Sequence, residues 1–111
     1  MNSQNIGKLT LKLDKDGYLI DPNDWSNDIV NVLANAENLK LTADHWEIIN
    51  LVRDFYVEYQ LSPAMRPLIK YIALKIGHRK GNSLYLNKLF NGTPAKLAAK
   101  LAGLPRPTNC F

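Results

Sequence analysis

The sequence predicts a mainly α domain, a small N-terminal β-hairpin followed by about five helices. Three observations carry that expectation. Beyond Asp24, apolar residues recur three and four positions apart, which places them on one face of a helix. Strict alternation of apolar and polar residues occurs once, over Lys8–Leu13. Glycines and prolines fall mostly between the periodic stretches, where they punctuate helices rather than break them. With 111 residues, 46% of them hydrophobic, the chain suits one domain with a packed core.

Met1–Gly7 is polar and is expected to be a loose tail. In Lys8–Leu13 the three leucines take one face and Lys8, Thr10 and Lys12 the other, the pattern of a half-buried strand. Asp16-Gly17 is a turn signal. Tyr18-Leu19-Ile20 would then return as a second strand, giving a hairpin over about 8–20 that must pack on helices to persist. Asp21 and Asp24 can accept N–H groups of a first helical turn. Trp25, Ile29, Val32, Leu33 and Ala36 predict a first helix over about 24–38, with Trp25 as a core anchor. Thr42 caps a second helix, about 43–60, whose apolar face holds His45, Ile48, Ile49, Val52, Phe55, Tyr56 and Tyr59. His45 in that company is a hydrogen-bonded structural group, because nothing nearby completes a metal or base constellation.

After Ser62-Pro63, a third helix starts near Met65, since Pro67 is tolerated only in a first turn. Leu68, Ile69, Ile72, Leu74 and Ile76 would face the core and Gly77 would end the helix. Ser83 caps a short fourth helix, about 84–90, behind the basic loop His78–Asn82. Thr93-Pro94 has the preferred cap-then-proline order and starts a fifth helix running to about Ala102. The bundle thus spans about 24–102.

Composition excludes several classes of function. One cysteine gives no internal disulfide framework, and with two distant histidines it matches no structural zinc spacing, so neither metal nor cofactor is expected. There is no Gly-rich phosphate loop and no nucleophile elbow. No apolar run approaches the length of a membrane span and no secretory h-region follows Met1. A free thiol without an export signal fits a reducing cytoplasm. The net charge of +4 conceals an asymmetry: residues 1–61 hold five Lys/Arg against ten Asp/Glu, whereas 62–111 hold nine Lys/Arg and no acid. A one-signed half steers anionic partners, and the sign alone does not choose between nucleic acid and an acidic protein. His78, Arg79 and Lys80 form either a docking loop for such a partner or a solvated basic loop.

Gly103 suits the position just past a helix end. Pro105-Arg106-Pro107 cannot continue a helix and favours extended backbone. An arm over 103–111, at roughly 3.3 Å per residue, would carry Cys110 about 23 Å from Gly103. A lone cysteine is usually a small buried hydrophobe, and an incidental exposed thiol is the other plain reading. Little sequence follows Cys110 to bury it. As a functional thiol it would draw on Arg106, whose cation favours thiolate or pairs with a partner carboxylate. Pro105 and Pro107 would narrow the arm's conformations. These three residues, with Arg79 and Lys80, are the candidates for touching a partner.

The segment Ala102–Phe111 resembles the C-terminal signature of the TusE/DsrC family, also called the sulfite reductase gamma-subunit family, whose members end Gly-Leu-Pro-Lys/Arg-Pro-Thr-x-Cys-x. The resemblance extends through Asp21-Pro22-x-Asp24-Trp25, Leu41-Thr42-x-x-His45-Trp46-Glu47, the run Arg53 to Tyr59, and Pro63 with Arg66. It continues through Lys80-Gly81-x-Ser83-x-Tyr85-Leu86 and Leu89-Phe90 with Pro94-Ala95-Lys96, covering nearly all of the chain from Leu9. It implies a single domain over 1–111, an orthogonal bundle with a small hairpin and a flexible C-terminal arm. It implies that Cys110 carries sulfur as a persulfide, gained and passed on by thiolate exchange. DsrC-type members look to carry a second cysteine eleven positions before the last. Ala99 stands there, so no intramolecular disulfide can form and the chain resembles the TusE type. That type implies a TusBCD-like donor complex and an MnmA-like tRNA 2-thiouridylase as acceptor, alone or with its tRNA.

Two other functions compete. One is a DsrC-like partner of dissimilatory sulfite reductase. The other is a helix-turn-helix regulator, suggested by short helices around a basic loop. Its recognition helix, Leu84–Phe90, would offer only Asn87 and Lys88 to base edges.

Overall fold

The computed structural model describes residues 2–6 and 9–107, with side chains from Lys12 onward. Strands β1 (Asn2–Ile6) and β2 (Leu9–Leu13) pair antiparallel, Asn2 opposite Leu13 and Ile6 opposite Leu9. A 3-10 turn at Pro22–Asp24 precedes α1 (Asn27–Ala36), α2 (Ala43–Tyr59), α3 (Met65–Ile76), α4 (Ser83–Leu89) and α5 (Pro94–Leu101). The class is mainly α, with five helices, as the periodicity predicts. Helix α5 packs against the other four. Its Ala95, Ala98 and Ala99 are buried, and such small side chains let neighbouring helices come close. No helix among the described residues is long and apolar enough to cross a membrane.

The hairpin differs from the expected one. The partner of β2 is β1, which lies in the stretch expected to be a tail; its polar sequence carries no alternation to betray it. The expected return at Tyr18–Ile20 shrinks to one bridge, Leu13 to Leu19. Asp14 Oδ1 accepts from the N–H groups of Asp16 and Tyr18, both at 2.9 Å, and bends the chain there. Tyr18 and Leu19 are both buried, so the segment folds onto the core instead of alternating along a sheet.

Helix starts were placed by cap chemistry within a few residues. The first is the exception: Asp21 caps only the 3-10 turn, Trp25 is extended at φ −71° and ψ 136°, and α1 restarts behind Ser26. Asn82, not Ser83, caps α4, accepting from Tyr85 N–H at 2.8 Å. Three residues expected on apolar helix faces are exposed: Ala36, Leu74 at 81% and Tyr59 at 51%. On α3 the inward face is Leu68, Tyr71 and Ile72, and two residues past Ile72 the helix has turned Leu74 to the opposite side. Tyr59 ends α2, where its ring lies against Phe55 at 4.5 Å without being covered from outside.

His45 is a structural group. Its Nδ1 accepts from Thr42 N–H at 3.0 Å at the start of α2, which leaves the proton on Nε2 to donate to Leu89 O at 2.7 Å. The ring meets Phe90 edge-on at 5.3 Å. His45→Ala removes both bonds and leaves the part-buried Leu89 carbonyl short of a donor, so it is expected to cost about 2 kcal/mol in urea unfolding.

Candidate functional site

Cys110, with the rest of Thr108–Phe111, lies outside the described residues; the structure describes its tether. Helix α5 ends in a Schellman turn. Gly103 takes φ +71°, its N–H donates to Lys100 O at 3.2 Å, and Leu104 N–H donates to Ala99 O at 3.0 Å. This geometry satisfies carbonyls that a helix end otherwise leaves open. It also turns Leu104 back into the core, where it is 5% exposed alongside Ala99.

Three side chains from earlier in the chain hold this turn. Trp25 Nε1–H donates to Leu101 O at 2.9 Å. Arg53 Nη1 donates to Ala102 O at 2.7 Å, and its guanidinium lies 3.7 Å from the centre of the Trp25 ring. Ser62 Oγ donates to Pro105 O. Gly103 rests on the indole: a Cβ there would come 2.8 Å from Trp25 Cγ. Burial lowers the Arg53 pKa, against an opposing effect of Asp54, so the cation gains from the carbonyl and the ring face that receive it. Arg53→Ala is expected to cost about 2 kcal/mol and to speed amide exchange at Gly103 and Leu104.

The arm expected over 103–111 therefore does not begin at Gly103. Residues 103–105 are bound to the bundle and Pro107 is buried. The physical reason is Leu104: its apolar side chain gains more from the core than an arm gains from freedom. Of the partner-contact candidates in this segment, Pro105 is exposed but anchored through its carbonyl. Arg106 is exposed and pairs with Asp16 at 3.2 Å, with more than two-fifths of each side chain in solvent, a geometry that contributes little stability. Arg106 also borders a cleft of about 300 Å³ shared with Tyr18, Lys96 and Lys100, in which Lys100 is neutralised by Glu37 at 2.9 Å.

The basic loop sits elsewhere. Lys80 Nζ pairs with Glu47 at 2.6 Å and Asp44 at 3.4 Å, fastening the loop to the first turns of α2. The hydrogen bond that Lys80 donates to Glu47 leads the effects that raise its pKa above 10.5. A raised folded-state pKa means that this contribution is complete below pH 10.5 and fades as pH climbs through the higher value. Arg79 is exposed. The described partners of Arg79's neighbour Lys80 are on the first turns of α2, whereas those of the tether are Trp25, Arg53 and Ser62, so the two sets of candidates are not brought together.

Sequence reasoning missed Arg53 and Ser62. Arg53 had a signal: it stands four residues after Ile49 and eight after His45, a lone cation on the apolar stripe of α2. A charge there needs a buried partner. Ser62 gave none, since a serine before proline is an ordinary turn residue.

Residues 5–111 match the sequence profile of the DsrC like protein family. The chain belongs to this family. Among relatives of this DsrC-like protein, the sulfurtransferase TusE homolog of Haemophilus influenzae is 51% identical over 107 residues, covering 96% of this chain and 98% of the relative. Sulfurtransferase TusE of Escherichia coli K12 is 47% identical over 101 residues, 91% of this chain and 93% of that one. The solution structure of Allochromatium vinosum DsrC superposes with a TM-score of 0.88 at 44% identity, over 99% of this chain and 98% of that one. The oxidized gamma-subunit of the dissimilatory sulfite reductase from Archaeoglobus fulgidus gives 0.83 at 31% identity, over 99% and 100%.

Proposed function

We propose that this DsrC-like protein is a sulfur carrier in a tRNA 2-thiouridine relay. The carrying observation is its 51% identity, over nearly the full length of both chains, to a relative named as a sulfurtransferase TusE homolog. The chain's own chemistry agrees. Its one thiol can store sulfur only as a persulfide or in a bond to another molecule.

Cys110 thiolate attacks the outer sulfur of a persulfide on a TusBCD-like donor. An S–S bond forms on Cys110, the donor's S–S bond breaks, and the donor cysteine leaves as thiolate. A thiolate of the MnmA-like 2-thiouridylase then takes the terminal sulfur in the same way and returns Cys110 to thiolate. No electrons are gained or lost overall. The carrier supplies a thiol three steps beyond a fixed root, and the partners supply the surroundings that activate it. Neither Arg106 nor the other tether residues act as a base.

The fold is shared with DsrC chains, but a sulfite reductase partner that closes an internal disulfide would need a second thiol. Ala99, fully buried under the Schellman turn, is the residue at the position eleven before Cys110. A strain lacking the gene should lose 2-thiouridine at the tRNA wobble position and regain it with the wild-type gene but not with Cys110→Ser. Normal thiolation in the deleted strain contradicts the proposal.

A further inference from the structure

Positive charge in the second half of the fold is unevenly matched. Lys80, Lys100 and Arg106 pair with acids from the first half. Arg66 and Lys70 are exposed cations with no ion-pair partner among the described residues. They share one surface. Lys70 and His78, with Ala73 and Leu74 between them, line a single groove of about 410 Å³ between α3 and the loop that follows it. Arg66 stands one turn before Lys70 on the same outer face of α3, opposite buried Leu68 and Ile72.

These charges do not serve the helix that carries them. Arg66 lies in the first turn of α3, where a cation opposes the helix dipole and no acid offsets it. Lys70, four residues on, adds like-charge repulsion. The loop side of the groove is held in shape as well. Asn82 Nδ2 donates to His78 O at 2.9 Å, and Lys80 fastens the loop to Glu47 and Asp44. Gly81 rests on α3 so closely that a Cβ there would collide with the Ala73 backbone.

The groove fits RNA better than an acidic protein. Protein interfaces are depleted in lysine, whereas nucleic-acid interfaces are strongly positive. A phosphate backbone brings a row of charges that meets Arg66 and Lys70 together. Exposed His78 and Arg66 are planar groups of the kind that stack on unpaired RNA bases. Leu74, 81% exposed between Lys70 and His78, offers apolar surface to a ribose ring. We infer that the outer face of α3 and the groove beside it, through Arg66, Lys70 and His78, bind the backbone of the tRNA that awaits the sulfur. The choice of tRNA rests on the carrier function proposed above. It also separates the two exchanges, since only the acceptor works on this polyanion.

The test titrates the full chain with an unmodified tRNA transcript bearing a wobble uridine, read by fluorescence anisotropy between about 50 and 200 mM salt. Wild type should bind with a Kd of about 10 μM or tighter at the low end. Arg66→Gln and Lys70→Gln should each weaken binding about fivefold or more and flatten the slope of log Kd against log salt by about 0.8. Lys75→Gln is the control. It removes the same charge from the same helix, but Lys75 lies over the Tyr71 ring at 5.3 Å and does not line the groove. It should weaken binding less than about twofold. Absence of binding at low salt, or an equal loss in the Lys75 variant, overturns the inference. So do Arg66 and Lys70 variants that bind tRNA like wild type yet slow sulfur transfer to the tRNA-free thiouridylase, which would place an acidic protein in the groove. Cys110→Ser should bind tRNA like wild type. Sulfur gain on Cys110 without tRNA binding removes the groove alone, and tRNA binding without sulfur gain removes the carrier function alone.

Discussion

Gly103→Val should lower stability by about 3 kcal/mol. Two costs add. A β-branched residue at φ +71° enters the left-handed region, at about 1–2 kcal/mol. Its Cβ would then meet the Trp25 indole, with Cγ only 2.8 Å away. Trp25 cannot retreat freely, because Nε1 is bonded to Leu101 O and Arg53 covers its ring. Overpacking of this kind costs about 1–3 kcal/mol. The melting temperature should fall by roughly 15 °C for a domain of this size. Gly92 offers the comparison. It has φ +88° but nothing within 4 Å of a Cβ, so Gly92→Ala should show only the backbone cost of about 1 kcal/mol. Equal melting temperatures for the two variants would mean that the close approach of Gly103 to Trp25 is not made in solution.

That contrast shows what was legible in the sequence. Gly103 announced a helix end, and the end is there with its Schellman bonds. The sequence did not announce that Leu104 turns inward, because one leucine between a glycine and a proline has no period to reveal its face. The helices α2 and α5 were legible because their caps and apolar spacing agree. The strand β1 was not, because Asn2–Ile6 is mostly polar and pairs through backbone groups that every residue has. Leu74 and Tyr59 were misplaced for a related reason: hydrophobicity marks residues that can be buried, and a partner's surface uses the same residues. For the site, Cys110 lies outside the described residues, and the Trp25, Arg53 and Ser62 contacts of its tether join residues 43–76 positions apart that no local pattern connects.

The docked root changes the picture of the carrier. A free arm from Gly103 would reach about 23 Å, and the seated tether allows about 10 Å from Pro107. Short reach restricts which thiols can meet Cys110 and raises the effective concentration of those that do. A partner with a deep active site would have to displace Leu104 and Pro107 first, and would meet the cost of uncovering them.

Cys110→Ser should abolish sulfur acceptance. Serine keeps the size of the side chain and replaces a polarisable thiolate, a small fraction of which is present at neutral pH, with an alcohol that is not ionised there. An alkoxide is not available to attack a persulfide, so the loss should be at least a hundredfold, while the near-isosteric exchange of sulfur for oxygen keeps the melting temperature within about 2 °C. The direct measurement is the intact mass of the protein after exposure to a persulfide donor in the absence of reductant. Wild-type protein should gain one sulfur atom, removable by dithiothreitol, and Cys110→Ser should gain none. A sulfur gained equally by both proteins, or by neither, would contradict a carrier that works through this thiol.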